Sequence, residues 1–146
     1  MATASIFQNY VQLVEHKALI IITKQIQEGN YKVQVEAIRK LIAEGQDKEA
    51  DKLKKQLPAF TPSGTFESGR KAELLTQYSG FVILDLDKLS PEDLARAKSL
   101  VALAPYTFAA FISPSGNGLK IIVPVNSTAE HHKLAFQQVS DYYEQA

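Results

Sequence analysis

The chain has 146 residues, with 16 Lys and Arg against 16 Asp and Glu, so its formal net charge is zero and any nucleic-acid contact must rest on a local patch. A hydrophobic share of 45% and a charged share of 22% mark a globular chain of one-domain length rather than a disordered one. There is no cysteine, which excludes disulfides and thiolate metal sites and fits a cytoplasmic protein.

The longest apolar run, Ala18 to Ile22, is far too short to span a bilayer, and no charged-then-apolar leader opens the chain, so no membrane partner is expected. The apolar positions between Ile6 and Val14 alternate poorly and specify no element. Leu19 to Thr23 is short and β-branched and reads as a strand. From Tyr31, Val35, Ile38, Leu41 and Ile42 recur at helical spacing up to a stop at Gly45. Asp47 to Leu57 reads as a lysine-rich helix ending before Pro58. Its Lys48, Lys52, Lys54 and Lys55 alternate with acids, as on a solvated face. Pro58 to Gly69 reads as a loop pinned by Phe60 and Phe66, and Arg70 to Tyr78 as a short helix.

A core strand is expected over Phe81 to Asp87. Ser90-Pro91-Glu92-Asp93 then opens a helix with a serine cap, a first-position proline and acids in the first turn. Leu94, Ala97, Leu100, Val101 and Leu103 or Ala104 form its buried stripe, and Pro105 ends it. Strands over Tyr106 to Ile112 and Leu119 to Val125 are close enough to form a hairpin. Ser127-Thr128-Ala129-Glu130 reads as a capping box opening a last helix, with Leu134, Phe136, Val139 and Tyr143 inward. The fold class expected is α+β. Residues 79–146 form a ferredoxin- or RRM-like βαββα core, and residues 1–78 a largely helical extension packed on it. The fourth core strand is either Leu19 to Thr23 or lies beyond Ala146.

The chemistry concentrates between Gly80 and Val125. Asp85 and Asp87 are two apart on a strand, so they project to one face about 7 Å apart. Such a pair repels unless a cation intervenes, and Mg²⁺ or Mn²⁺ held through one or two carboxylates and substrate phosphates suits it. Ser113, Ser115, Gly116 and Gly118 form a small-residue loop closed by Lys120, a candidate phosphate cradle whose glycines let backbone N–H groups approach an anion. The bland reading is a strand-end acid pair beside an ordinary hairpin turn. His131 and His132 are adjacent, which on a helix points them about 100° apart. They read as surface or partly buried residues rather than a metal or nuclease pair. Ser113 and Ser115 lack a histidine–acid partner for hydrolysis.

Leu84-Asp85-Leu86-Asp87 followed by Ser113-Pro114-Ser115-Gly116-Asn117-Gly118-Leu119-Lys120 resembles the first two motifs of primase-polymerase domains of the archaeo-eukaryotic primase superfamily. More narrowly, the chain resembles the N-terminal domain of virulence-associated protein E-type proteins of Bacteroides-like bacteria and their mobile elements. That likeness extends to Lys55-Gln56-Leu57-Pro58, Ser63-Gly64-Thr65-Phe66, Tyr78-Ser79-Gly80 and the last helix. It implies catalytic Asp85 and Asp87 holding Mg²⁺ or Mn²⁺, with Ser113, Ser115, Gly116, Gly118 and Lys120 along a nucleoside triphosphate. The implied partners are a single-stranded DNA template and a helicase domain or protein. Lys120 stands where the superfamily usually has histidine, and no acid up to Ala146 matches its third motif. The resemblance therefore implies nucleotidyl transfer by a longer protein. The alternatives are an inactive DNA- or nucleotide-binding module and a plain interaction domain.

Overall fold

The structure is a computed structural model that describes residues 1–9 and 12–144; Tyr10, Val11, Gln145 and Ala146 lie outside the described residues. It is α+β, with small antiparallel sheets and five helices among the described residues.

The first two strands, β1 (Thr3–Gln8) and β2 (Gln12–Ala18), form a hairpin with a bulge between Ile6 and Phe7. Pattern reading gives no element here because β1 is buried on both faces, Ala4 to Phe7 all being inside, while β2 is a largely exposed edge with no clean alternation. The expected strand at Leu19 to Thr23 is instead the start of helix α1 (Leu19–Gln27). Leu19, Ile22 and Ile26 lie three and four apart and pack on the core, whereas Ile20 and Ile21 are exposed. Thr23 Oγ1 donates back to the Leu19 and Ile20 carbonyls, which suits a β-branched residue to a helix. Leu19 to Thr23 therefore cannot supply the fourth core strand.

Helix α2 (Lys32–Ala43) buries Ile38 and stops at Gly45, whose φ of +77° is left-handed. Helix α3 (Asp47–Gln56) carries acids in its first turn and lysines in its last, complementing its dipole, and Leu57 turns extended ahead of Pro58. The expected loop that follows contains two short strands, β3 (Ala59–Thr61) and β4 (Gly64–Phe66). The expected helix at Arg70 to Tyr78 is a single 3₁₀ turn, Ala72–Leu74, and strand β5 (Leu75–Tyr78). β3 pairs with β1 to give the order β2-β1-β3, and β4 pairs with β5. The buried Ser5 hydroxyl joins these units by accepting from Phe66 N–H at 2.8 Å, while the Ser5 N–H donates to Thr61 Oγ1. The N-terminal portion thus holds five strands beside its three α-helices.

The third sheet contains β6 (Phe81–Leu86), β7 (Ala109–Ile112) and β8 (Leu119–Pro124) in the order β6-β8-β7. Both outer strands run antiparallel to β8 and so parallel to each other, connected by helix α4 (Pro91–Leu103). Ser90 caps α4 as expected, its Oγ accepting from Asp93 N–H at 3.1 Å. Val101 is buried and Leu94 and Ala97 pack inward, but Leu100 and Leu103 face solvent. β7 begins three residues later than expected. Thr107 Oγ1 instead donates to the Val101 carbonyl near the end of α4, which leaves Tyr143 OH to donate to Thr107 Oγ1 at 2.7 Å.

The last helix also starts late. A 3₁₀ turn, Ala129–His131, precedes α5 (His132–Glu144), and Thr128 Oγ1 meets His131 Nδ1 rather than capping a helix. Ala135, Val139 and Tyr143 provide its inward face, while Leu134 and Phe136 are exposed.

Alternation along β6 and β8 sorts the third sheet into two faces. Val82, Leu84, Leu119, Ile121 and Val123 pack under α4 and α5. Phe81, Ile83, Phe111 and Ile122 face the N-terminal layer of Ala4, Ile6, Leu19, Ile22 and Phe60. No helix among the described residues is long and apolar enough to cross a membrane.

Candidate functional site

The site residues fall at the turn end of the third sheet. Asp85 lies opposite Lys120 in the β6–β8 register, and Lys120 lies opposite Phe111 on β7. Directly opposed residues share a face, so Asp85, Lys120 and Phe111 form a row on the side facing the N-terminal layer. Lys120 Nζ sits 2.8 Å from Asp85 Oδ1. Both side chains are partly solvated, 31% for Lys120 and 49% for Asp85. Such a pair contributes about 0–1 kcal/mol, so holding the fold together does not account for it.

β6 ends at Leu86, and Asp87 follows just before Lys88, which turns the chain with a φ of +55°. The Asp87 carboxylate abuts the small-residue loop: a methyl group on Gly118 would lie 3.4 Å from Asp87 Oδ1, 3.0 Å from Ser113 Oγ and 2.7 Å from the Leu86 carbonyl oxygen. Gly118 is there because backbone passes backbone at this point. Asp85, Asp87, Lys120 and the loop from Ser113 to Gly118 are thus brought together.

The loop spends much of its polarity on itself. Gly118 N–H donates to the buried Ser113 Oγ at 3.1 Å, and Gly116 N–H to the Ser113 carbonyl at 2.9 Å. Ser115 Oγ donates to Asn117 Oδ1, so the contact between the two serine hydroxyls takes its proton from Ser113. The two glycine N–H groups expected to approach an anion therefore serve the turn. Ser113 shapes the loop, while Ser115 and Lys120 offer the more accessible polar groups. Gly116, at φ +86°, supplies the left-handed residue of the turn.

Sequence reasoning missed Arg39. From α2 its Nη2 donates to the Ser113 carbonyl at 3.0 Å and its Nε to the Pro114 carbonyl at 3.3 Å, pinning the loop from across the fold. An arginine 74 residues upstream of its partner leaves no local signal. Sequence reasoning also missed a cavity of about 260 Å³ between the third sheet and the N-terminal layer, lined in part by Lys120 and Pro114.

Among the described residues no three His, Cys, Asp or Glu side chains converge as a metal cluster. Two carboxylates beside a lysine suit a hard divalent ion that brings phosphate oxygens with it better than an ion held by protein alone. The histidines stand apart from this site. His132 Nδ1 and Tyr78 OH are hydrogen-bonded at 2.7 Å in an edge-on ring contact, and His132 Nε2 lies 3.3 Å from Ser63 Oγ. Burial pushes the His132 pKa down. It pushes that of Tyr78 up, against a smaller opposing hydrogen bond from Ser127. A neutral imidazole beside a protonated phenol follows.

The chain belongs to the BT4734-like N-terminal domain family, whose model matches residues 52–146. No curated protein and no solved structure matches the chain.

Proposed function

We propose that this member of the BT4734-like N-terminal domain family is a metal-dependent nucleotide-binding module of primase-polymerase type, serving nucleotidyl transfer in a longer replication protein. One observation carries the reading. Asp87 lies beside the Ser113–Gly118 loop, and Lys120, two residues past that loop, is bonded to Asp85 on the same sheet face. In this reading Asp85 and Asp87 hold Mg²⁺ or Mn²⁺, Ser115 and Lys120 meet the phosphates, and Arg39 fixes the loop from behind. When bound, the ion would neutralise phosphate oxygens and favour attack by a hydroxyl. Lys120 balances the Asp85 charge until the ligand arrives and then turns its ammonium to phosphate, as a point charge rather than a planar donor.

The order β6-β8-β7 with α4 crossing and α5 following supports a ferredoxin-like core, in which a further strand would join the outer edge of β6. A single-stranded DNA template and a helicase partner belong to the same proposal, as does a cytoplasmic location in a bacterial mobile element.

A second reading, nucleotide binding without transfer, is favoured by the presence of only two converging acids among the described residues. Metal-dependent triphosphate binding together with primer extension by the longer protein supports the first reading. Binding with no extension supports the second.

A further inference from the structure

We propose that the cavity between the third sheet and the N-terminal layer receives the base of a nucleotide, with the phosphates reaching out past Lys120. Only the phosphate end rests on the function proposed above. The two layers leave between them a partly open pocket of about 260 Å³ rather than closing on each other. Ligand cavities run from about 300 to 1,000 Å³, so this one has room for a bicyclic ring but not a whole nucleotide.

Its wall is suited to a flat apolar ring. Ile83 and Phe111 come from the sheet, Phe60 from β3, Ile26 from α1 and Val35 from α2, with Tyr31 beside them. Phe60 and Phe111 are inclined at 32° with centroids 6.4 Å apart. Aromatic faces hold bases by stacking, which tolerates any base. Charge is confined to the lysines: Lys120 lines the cavity while bonded to Asp85, and Lys54 lines it from α3. Pro114 belongs both to the cavity wall and to the loop beside Asp87. An apolar chamber with a cationic side, continuous with a two-carboxylate site, matches a molecule with a planar ring at one end and a metal-bound polyphosphate at the other. Ile26, Tyr31, Val35 and Phe111 also line an open groove alongside β7, which gives the ring a way in.

The test uses the whole chain with methyl-labelled Ile, Leu and Val, titrated with adenosine, with ATP and Mg²⁺, and with inorganic tripolyphosphate and Mg²⁺. Adenosine and ATP are expected to shift the Ile26, Ile83 and Val35 methyl signals, and tripolyphosphate to leave them in place. A folded Val35→Phe variant, which fills the cavity, is expected to lose roughly tenfold or more in ATP affinity while keeping that for tripolyphosphate. The unmodified chain carries the test if that variant does not fold. Methyl shifts with adenosine that survive Asp85→Ala/Asp87→Ala sustain the cavity even where the metal site fails. Tripolyphosphate binding that depends on both carboxylates, with no methyl response to either nucleotide form, overturns the cavity and leaves the metal site standing. No response to any of the three probes overturns both.

Discussion

Lys120 and Asp85 form a pair whose loss the fold tolerates and the proposed ligand does not. Lys120→Met is expected to change stability by no more than about 1 kcal/mol, as for an exposed ion pair. It is also expected to weaken triphosphate binding by roughly tenfold. Denaturant melts and calorimetric titration of the same preparation check both. Gly118 behaves in the opposite way. Gly118→Ala drives a methyl to 2.7 Å from the Leu86 carbonyl oxygen, so it is expected to cost about 1–3 kcal/mol in chemical denaturation.

His132 makes a pH prediction. Its folded pKa lies below the ordinary value, so the unfolded chain binds more protons just below the usual imidazole range. The stability it confers is present above that range and is lost as pH falls through the folded value. Melting temperature is expected to drop as pH falls below about 6.5, and His132→Gln is expected to reduce that drop. An equal drop in the variant would assign the acid sensitivity to other groups. At this scale Asp85, Asp87 and Lys120 were legible as charged residues at the ends of two expected strands, with the Asp85–Lys120 pair set by the β6–β8 register and Asp87 falling just past the end of β6. Arg39 was not, because its role depends on a tertiary approach to Ser113 and Pro114.

Among the elements, α2, α3, α4 and the β7–β8 hairpin follow their local signals. Ser90→Ala should remove about 1 kcal/mol, read from the same denaturation curves, because Ser90 Oγ is the acceptor for Asp93 N–H. The misread elements share one cause: their assignment is decided by partners distant in sequence. Leu19 to Thr23 has strand propensity, but its helical face packs on the core beneath β1. β3, β4 and β5 have three or four residues each, too few to show alternation, and exist because β1 and one another pair with them. In α5, Val139 and Tyr143 pack inward as expected, whereas Leu134 and Phe136 are apolar yet exposed.

For the molecule as a whole, the family match begins at residue 52, but the third sheet is covered from both sides only when residues 1–51 are present. Ile122 is fully buried against Ala4, Ile6, Leu19 and Ile22. A 52–146 fragment exposes that face and the cavity wall, so it is expected to lack a cooperative melt and to aggregate, while the whole chain melts cooperatively. A fragment melting at the same temperature as the whole chain would assign the N-terminal layer no part in the core. Residues 1–51 also carry Arg39 and the part of the cavity wall that includes Ile26, Tyr31 and Val35, so fold and site share one dependence on them.

The most direct measurement is a calorimetric titration of the whole chain with a nucleoside triphosphate, with and without Mg²⁺ or Mn²⁺, repeated on Asp85→Ala/Asp87→Ala. Binding that requires the ion and is lost in the folded variant is the predicted result. Metal-independent binding, or equal binding by the variant, would contradict a site built on these two carboxylates.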